Sequence, residues 1–219
     1  MNKTTVTTVV ALALGLGGGY LATQQPTVAQ ASAKFAKKDL QNPSGYYYTN
    51  KGRYAFHWQN KKSGHKTYHY LVMSDFKAGI VYTGSISYHQ ISANRRTFTT
   101  TFRLLDNGGK LTSTKYKFGL YKLSNSKYRV KLYNSGSRRL VSNHGTTYAI
   151  TRTTKNPFTR MFNAYTKKSL KADINKVLTE RYNDGYSKVD PKSSDGQKAL
   201  NTGVHAGYVY VKDAFSLKG

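Results

Sequence analysis

From Gly45 to Thr153 the bulky apolar residues recur on even-numbered positions: Tyr54, Phe56, Trp58; Tyr68, Tyr70, Val72; Ile80, Tyr82, Ile86, Tyr88; Phe98, Phe102, Leu104; Tyr116, Phe118, Leu120; Tyr128, Val130, Leu132; Tyr148, Ile150. The positions between them are polar or cationic, as in Thr97, Thr99, Thr101, Arg103, or Lys115 and Lys117, or Lys127, Arg129 and Lys131. Side chains alternate across a strand, so this pattern predicts strands with one buried aromatic face and one wet, basic face. Turn clusters at 60–64, 106–109, 124–126 and 134–137 cut the run into eight or nine strands. With no helical segment between them, consecutive short hairpins predict an antiparallel up-and-down barrel or a sandwich. Closure into a barrel is favoured because it hides strand edges.

After Thr153 the period changes. Asn156 is placed to cap a helix with Pro157 at its first position, and Phe158, Met161, Phe162 and Tyr165 form a stripe at helical spacing. Ser169 can cap a second segment with Leu170, Ile174, Val177, Leu178 and Tyr182 on one face, stopped by Asn183-Asp184-Gly185. The pattern leaves one kinked helix or two, whose apolar stripe closes an end or side of the β unit. Val204, Ala206, Tyr208 and Tyr210 then return to strand spacing. The expected organisation is a leader over 1–31, a linker over 32–44, a β domain over 45–153, a helical segment over 154–185, and a loop with a C-terminal strand over 186–219.

The leader reading rests on Lys3, an apolar run from Val6 to Leu16, and the small residues Ala29-Gln30-Ala31 before an expected cleavage. Removal of 31 residues leaves 188, enough for one domain with a real core. There is no cysteine, so neither disulfides nor a lipid-accepting thiol contribute. No apolar run after the leader is long enough for a membrane-spanning helix.

Charge narrows the field of partners. The chain has 35 Lys plus Arg against 9 Asp plus Glu; without Lys3 the balance is 34 to 9, or +25. Such an excess drives association with polyanions. Lys115, Lys117, Lys127, Arg129 and Lys131 fall on two strands expected to be neighbours, with Lys122, Arg138 and Arg139 close by, and together they predict a basic patch. Most of the 19 tyrosines fall on the buried parity; Tyr47, Tyr121 and Tyr133 fall on the other and are the candidate surface aromatics.

Catalytic patterns are missing. The carboxylates are scattered, with Asp75, Asp106, Asp184, Asp190 and Asp195 in turn contexts where they bond their own backbone, and no paired acid and base emerges. No nucleophile elbow or phosphate-cradling glycine loop is present. His57, His65 and His69 share one parity on an expected hairpin and could converge on a metal, but lysines surround them; they are expected to be surface groups, with an acid-triggered charge switch as a further option. No catalytic residue, metal or cofactor is implied.

The stretch opening with Gly45-Tyr46-Tyr47-Tyr48 and closing with Tyr148-Ala149-Ile150-Thr151-Arg152 resembles small lipocalin-like secreted barrels of Gram-positive bacteria. The leader and the Lys/Tyr/Thr-rich style are similar to exported proteins of lactic-acid bacteria. The resemblance covers about half the chain and carries no functional residue across. The expectation is a secreted, non-enzymatic cationic protein held non-covalently to anionic wall polymer, acidic polysaccharide or an anionic lipid surface. Nucleic acid is an expected non-specific partner. The alternatives are a barrel carrying a small ligand and an enzyme acting on the cell wall.

Overall fold

The structure is a computed structural model that describes residues 33–39, 42–49, 53–133 and 147–217. The expected leader, 1–31, lies outside the described residues.

Eight antiparallel strands close into a barrel in sequence order: β1 (Tyr46–Thr49), β2 (Tyr54–Ser63), β3 (Lys66–Asp75), β4 (Ile80–Ile91), β5 (Thr97–Leu105), β6 (Leu111–Lys122), β7 (Lys127–Tyr133) and β8 (Thr147–Thr153), with β8 returning to β1. This is the up-and-down barrel expected from consecutive hairpins. Its interior is a packed aromatic core of Phe56, Trp58, Phe98, Phe102, Tyr116, Phe118 and Tyr128, with Leu71, Leu120, Val130 and Ile150 between the rings.

The even-numbered rule holds for β2 and from β5 through β8, but fails in β1 and β3. Cross-strand partners share a face, and Phe56 pairs with Tyr47 while Trp58 pairs with Leu71, so in these two strands the odd residues point inward. A loop with an even number of residues, such as Gly64–His65 between the partners Ser63 and Lys66, shifts the inward set by one. Tyr68 and Val72 therefore face outward. A bulge between Ile86 and Tyr88 turns Tyr88 out to solvent as well.

A helical layer covers the outer wall of β1, β2, β3 and the start of β4. It comprises α1 (Phe158–Met161), a π segment (Phe162–Thr166), α2 (Lys167–Asn183) and α3 (Ser194–Phe215). Phe158, Met161, Phe162, Val211 and Phe215 pack on Ala55, Val72 and Phe76, and Tyr46, Tyr48 and Val81 join them. The stripe thus closes a side of the barrel. Asn156 Oδ1 accepts the Phe158 N–H at 2.9 Å, so the expected capping side chain does its work although the helix starts one residue later. Ser169 caps nothing: its hydroxyl donates to the Thr166 carbonyl at 2.9 Å, and the chain runs from α1 through the π segment into α2 as one irregular helix. Gly185 ends it with φ +75°, as the Asn-Asp-Gly stop suggested.

Two expected elements are corrected. Val204, Ala206, Tyr208 and Tyr210 belong to α3, not to a strand. Ser193 Oγ accepts the Gly196 N–H at 3.1 Å to start this helix, and Leu200, Val204, Val211 and Phe215 form its buried stripe. Segment 32–44, expected as a linker, places Phe35 in the barrel interior, with its ring against Phe98 and Tyr128 and its N–H donating to Arg95 O at 2.8 Å. One end of the barrel is plugged.

Candidate functional site

Among the described residues nothing covers the outer wall of β5, β6 and β7, and this wall holds the charge. Because Tyr116, Phe118 and Leu120 point inward, Lys115, Lys117, Gly119 and Tyr121 of β6 point outward. On β7 the inward Tyr128, Val130 and Leu132 leave Lys127, Arg129, Lys131 and Tyr133 outside. The register interleaves the two sets: Lys117 opposite Tyr133, Gly119 opposite Lys131, Tyr121 opposite Arg129. Five of the eight expected patch residues, Lys115, Lys117, Lys127, Arg129 and Lys131, therefore make one continuous outer surface. Outward neighbours on one strand are about 6.8 Å apart and strands about 4.8 Å apart, so the cations form a two-strand grid.

Of the remaining three, only Lys122 is among the described residues. Lys122 lies at the plugged end, where its ammonium donates to Lys34 O at 3.0 Å and sits over Phe35 (5.6 Å) and Tyr128 (5.9 Å); partial burial pulls its pKa down. Its even position turns it off the wall. Arg138 and Arg139 lie outside the described residues. A residue not singled out from sequence joins the patch: Arg103 of β5 pairs directly with Lys115. The five-residue connection between Leu105 and Leu111 keeps parity, but in plain register it would set Arg103 opposite Ser113; the register shift between Arg103 and Leu105 brings Lys115 there, and no alternation in the sequence signals it.

Tyr121 and Tyr133 reach toward one another along the wall and share a hydroxyl–hydroxyl hydrogen bond of 2.5 Å over Gly119. A Cβ at Gly119 would lie 3.1 Å from Tyr133 Cε2 and 3.2 Å from Tyr121 Cε2, so the missing side chain is what lets the rings lie there. The hydrogen bond to Tyr121, with burial adding to it, pushes the Tyr133 phenol up to about 12. Lys117 Nζ and Lys131 Nζ both stand over the Tyr133 ring, 5.5 and 5.2 Å from its centroid. Tyr47, the third aromatic expected at the surface, is a correction. It is 1% exposed inside the barrel, stacked on Phe56 at 5.2 Å, with Trp58 and Tyr128 edge-on to it. Burial raises its phenol pKa strongly.

Among the described residues no carboxylate neutralises this wall. All nine acidic residues are among those described, and six of them, Asp173, Glu180, Asp184, Asp190, Asp195 and Asp213, belong to the helical part of the chain. The three on the barrel are engaged locally. Asp75 takes the Arg53 guanidinium (Nη2 to Oδ2, 2.7 Å), Asp39 accepts from Ser44 Oγ (2.9 Å), and Asp106 accepts the turn amides of Gly108 (2.9 Å) and Lys110 (2.8 Å). The turn role expected for Asp75 and Asp106 is observed, since Asp75 Oδ1 also accepts the amides of Lys77 (3.1 Å) and Ala78 (3.2 Å).

The other candidate sites come to little. At the barrel end opposite Phe35, a cavity of about 40 Å³ opens among Tyr54, Phe56, Met73, Tyr82, Phe118 and Tyr148. That exceeds the volume of one water but is far below the roughly 300–1,000 Å³ of pockets that enclose drug-sized ligands. The three histidines do not converge. His57 is 5% exposed beneath the helical layer, against the expectation of a surface group, while His69 Nδ1 lies 2.7 Å from Asn60 Oδ1 and His65 sits in the exposed turn. Among the described residues no group of three metal-ligating side chains occurs, and no helix is long and apolar enough to cross a membrane.

Fold and site together define a closed, plugged eight-stranded barrel armoured with helices on one side and with exposed cations on the other. No family model matches the chain, and no curated protein matches it significantly.

Proposed function

We propose that this protein is an exported, non-enzymatic polyanion binder that docks through the outer wall of β5 to β7, with anionic cell-envelope polymer as its target. The observation that carries the reading is the segregation of charge: Arg103, Lys115, Lys117, Lys127, Arg129 and Lys131 share one surface on which, among the described residues, no carboxylate balances them. A solvated face that served solubility alone would interleave both signs. An unbalanced patch instead raises the local concentration of anionic partners and the rate of encounter with them. The leader-like N-terminus supports action outside the cytoplasm, and the net charge supplies a non-covalent means of staying at the cell surface.

Elution from an immobilised polyanion along a salt gradient tests this. A variant with Lys115, Lys117, Arg129 and Lys131 changed to Ser is expected to elute at much lower salt than one losing Lys167, Lys168, Lys171 and Lys198 of the helical layer. Both lose four charges, so coincident elution would sink the assignment of the wall. In parallel, intact producing cells washed with about 1 M salt, where screening acts within roughly 3 Å, are expected to release the protein.

A further inference from the structure

Lys117 and Lys131 come from different strands, yet both ammoniums stand within 5.5 Å of the centroid of a single ring, Tyr133. Two like charges gathered on one ring repel each other. Neither has a carboxylate partner among the described residues. The ring is held in place from its far end, where its hydroxyl meets that of Tyr121 over Gly119. This is an arrangement short of one anion.

Building on the polyanion reading, we infer that Lys117, Lys131 and Tyr133 form a discrete subsite for one phosphodiester of a polyol phosphate chain, with Arg129 and Lys127 taking the next phosphates along β7. Two features choose this class. The first is pitch: Lys131, Arg129 and Lys127 project at steps of about 6.8 Å. An extended chain covers about 3.3–3.6 Å per three backbone bonds, so the six bonds between successive phosphorus atoms of a three-carbon polyol phosphate span about 7 Å, which matches that step. The second is the state of the aromatic surface. A nucleic acid has the same six-bond backbone but gains its affinity for aromatic grooves by stacking bases on open rings. Here the Tyr133 ring carries two ammoniums and its hydroxyl is tied to Tyr121. The subsite therefore offers charge and no open ring, which suits a chain that has phosphates and no bases.

Binding of end-labelled poly(glycerol phosphate) at fixed salt tests the subsite, beside poly(U) matched in phosphate number and polygalacturonate matched in carboxylates. The double variant Lys117→Ala/Lys131→Ala is expected to lose about tenfold or more affinity relative to Lys167→Ala/Lys168→Ala, which removes the same charge from the helical layer. Tyr133→Leu, which changes no charge, is expected to lose severalfold, and Tyr133→Phe, which keeps the ring, to retain most of the affinity. Thermal unfolding of each variant establishes that it is folded. Equal losses in the two double variants, or an unaffected Tyr133→Leu, would overturn the subsite while leaving the polyanion reading intact. Tighter binding of poly(U) or polygalacturonate by the wild type would overturn the polyol phosphate and assign a nucleic acid or an acidic glycan instead. A wild type that binds none of the three would bring down both the subsite and the reading beneath it.

Discussion

His57 Nε2 lies 2.7 Å from the carbonyl oxygen of Phe215, a contact that joins β2 to the last turn of α3 across 158 positions of sequence. The carbonyl can only accept, so the imidazole donates from Nε2. Gln59 Nε2 donates to Ser216 O at 3.1 Å beside it, and the Phe215 ring lies edge-on to the imidazole at 4.9 Å. The C-terminal end of the helical layer is thus latched to the barrel by two side chains of one strand.

That latch makes stability depend on pH. Burial, outweighing the hydrogen bonds to the Phe215 and Trp58 carbonyls, lowers the His57 pKa below its ordinary 6.5. The folded state then prefers neutral imidazole. This stabilisation is fully present above the unfolded pKa near 6.5 and is lost as the pH falls from there toward the folded value. Thermal unfolding at pH 7.5 and pH 5 is expected to show a drop in Tm that is smaller in His57→Gln, which keeps a donor and cannot titrate. Equal drops in the two proteins would place the acid sensitivity elsewhere.

Phe215 is fully buried, with Phe76, Phe158 and His57 around its ring. Its truncation to Ala leaves a cavity that backbone from two elements cannot collapse, and the expected loss is about 3–5 kcal/mol by denaturant unfolding. A loss below about 1 kcal/mol would mean that the helical layer contributes little to the barrel it covers.

Much of this architecture is legible in the sequence, and the exceptions have physical causes. Consecutive strands with clean alternation and short turns specify antiparallel β structure and favour the barrel over a sandwich, and Lys115, Lys117, Arg129 and Lys131 are placed on its outside by alternation alone. Tyr47 is misplaced because inward parity passes from strand to strand only through loop length and register, and its pairing with Phe56 reverses the parity of β1. In α3 the run Tyr208-Val209-Tyr210-Val211 has strand propensity and strand alternation, yet the buried positions 200, 204, 211 and 215 follow the helix period. Packing overrides propensity there. Gly203 and Gly207, which weaken a helical reading, let Ile174 and Leu170 of α2 approach closely: a Cβ at Gly207 would meet Leu170 Cδ2 at 2.6 Å. Phe35 is hidden by its surroundings, since a lone aromatic in a polar stretch carries no periodicity.

Phe35 gives a direct measure of whether residues 33–39 belong to the fold. Its ring is 1% exposed and closes one end of the barrel. Phe35→Ala is expected to cost about 3–5 kcal/mol, the range for a buried aromatic, whereas the same change in a tether would be silent in equilibrium unfolding.

Gly119 couples the wall to its chemistry. Strands favour β-branched residues over glycine, so Gly119→Ala ought to be harmless or stabilising by propensity alone. The added methyl would, however, stand 3.1–3.3 Å from Tyr133 Cε2, Tyr121 Cε2 and the Tyr133 hydroxyl, all of them toward the far ends of the two rings. The rings are expected to yield, which breaks the Tyr121–Tyr133 hydrogen bond while leaving the fold and Tm nearly unchanged. Since that bond is the main cause of the elevated Tyr133 pKa of about 12, NMR titration with isotope-labelled tyrosine is expected to show Tyr133 moving down toward its ordinary value of 10. Tyr121→Phe removes the same bond without adding a methyl and is expected to move it the same way. A Tyr133 titration that stays put in both variants would show that the phenol pair does not control the ring, and that the lysines above it are gathered by something else.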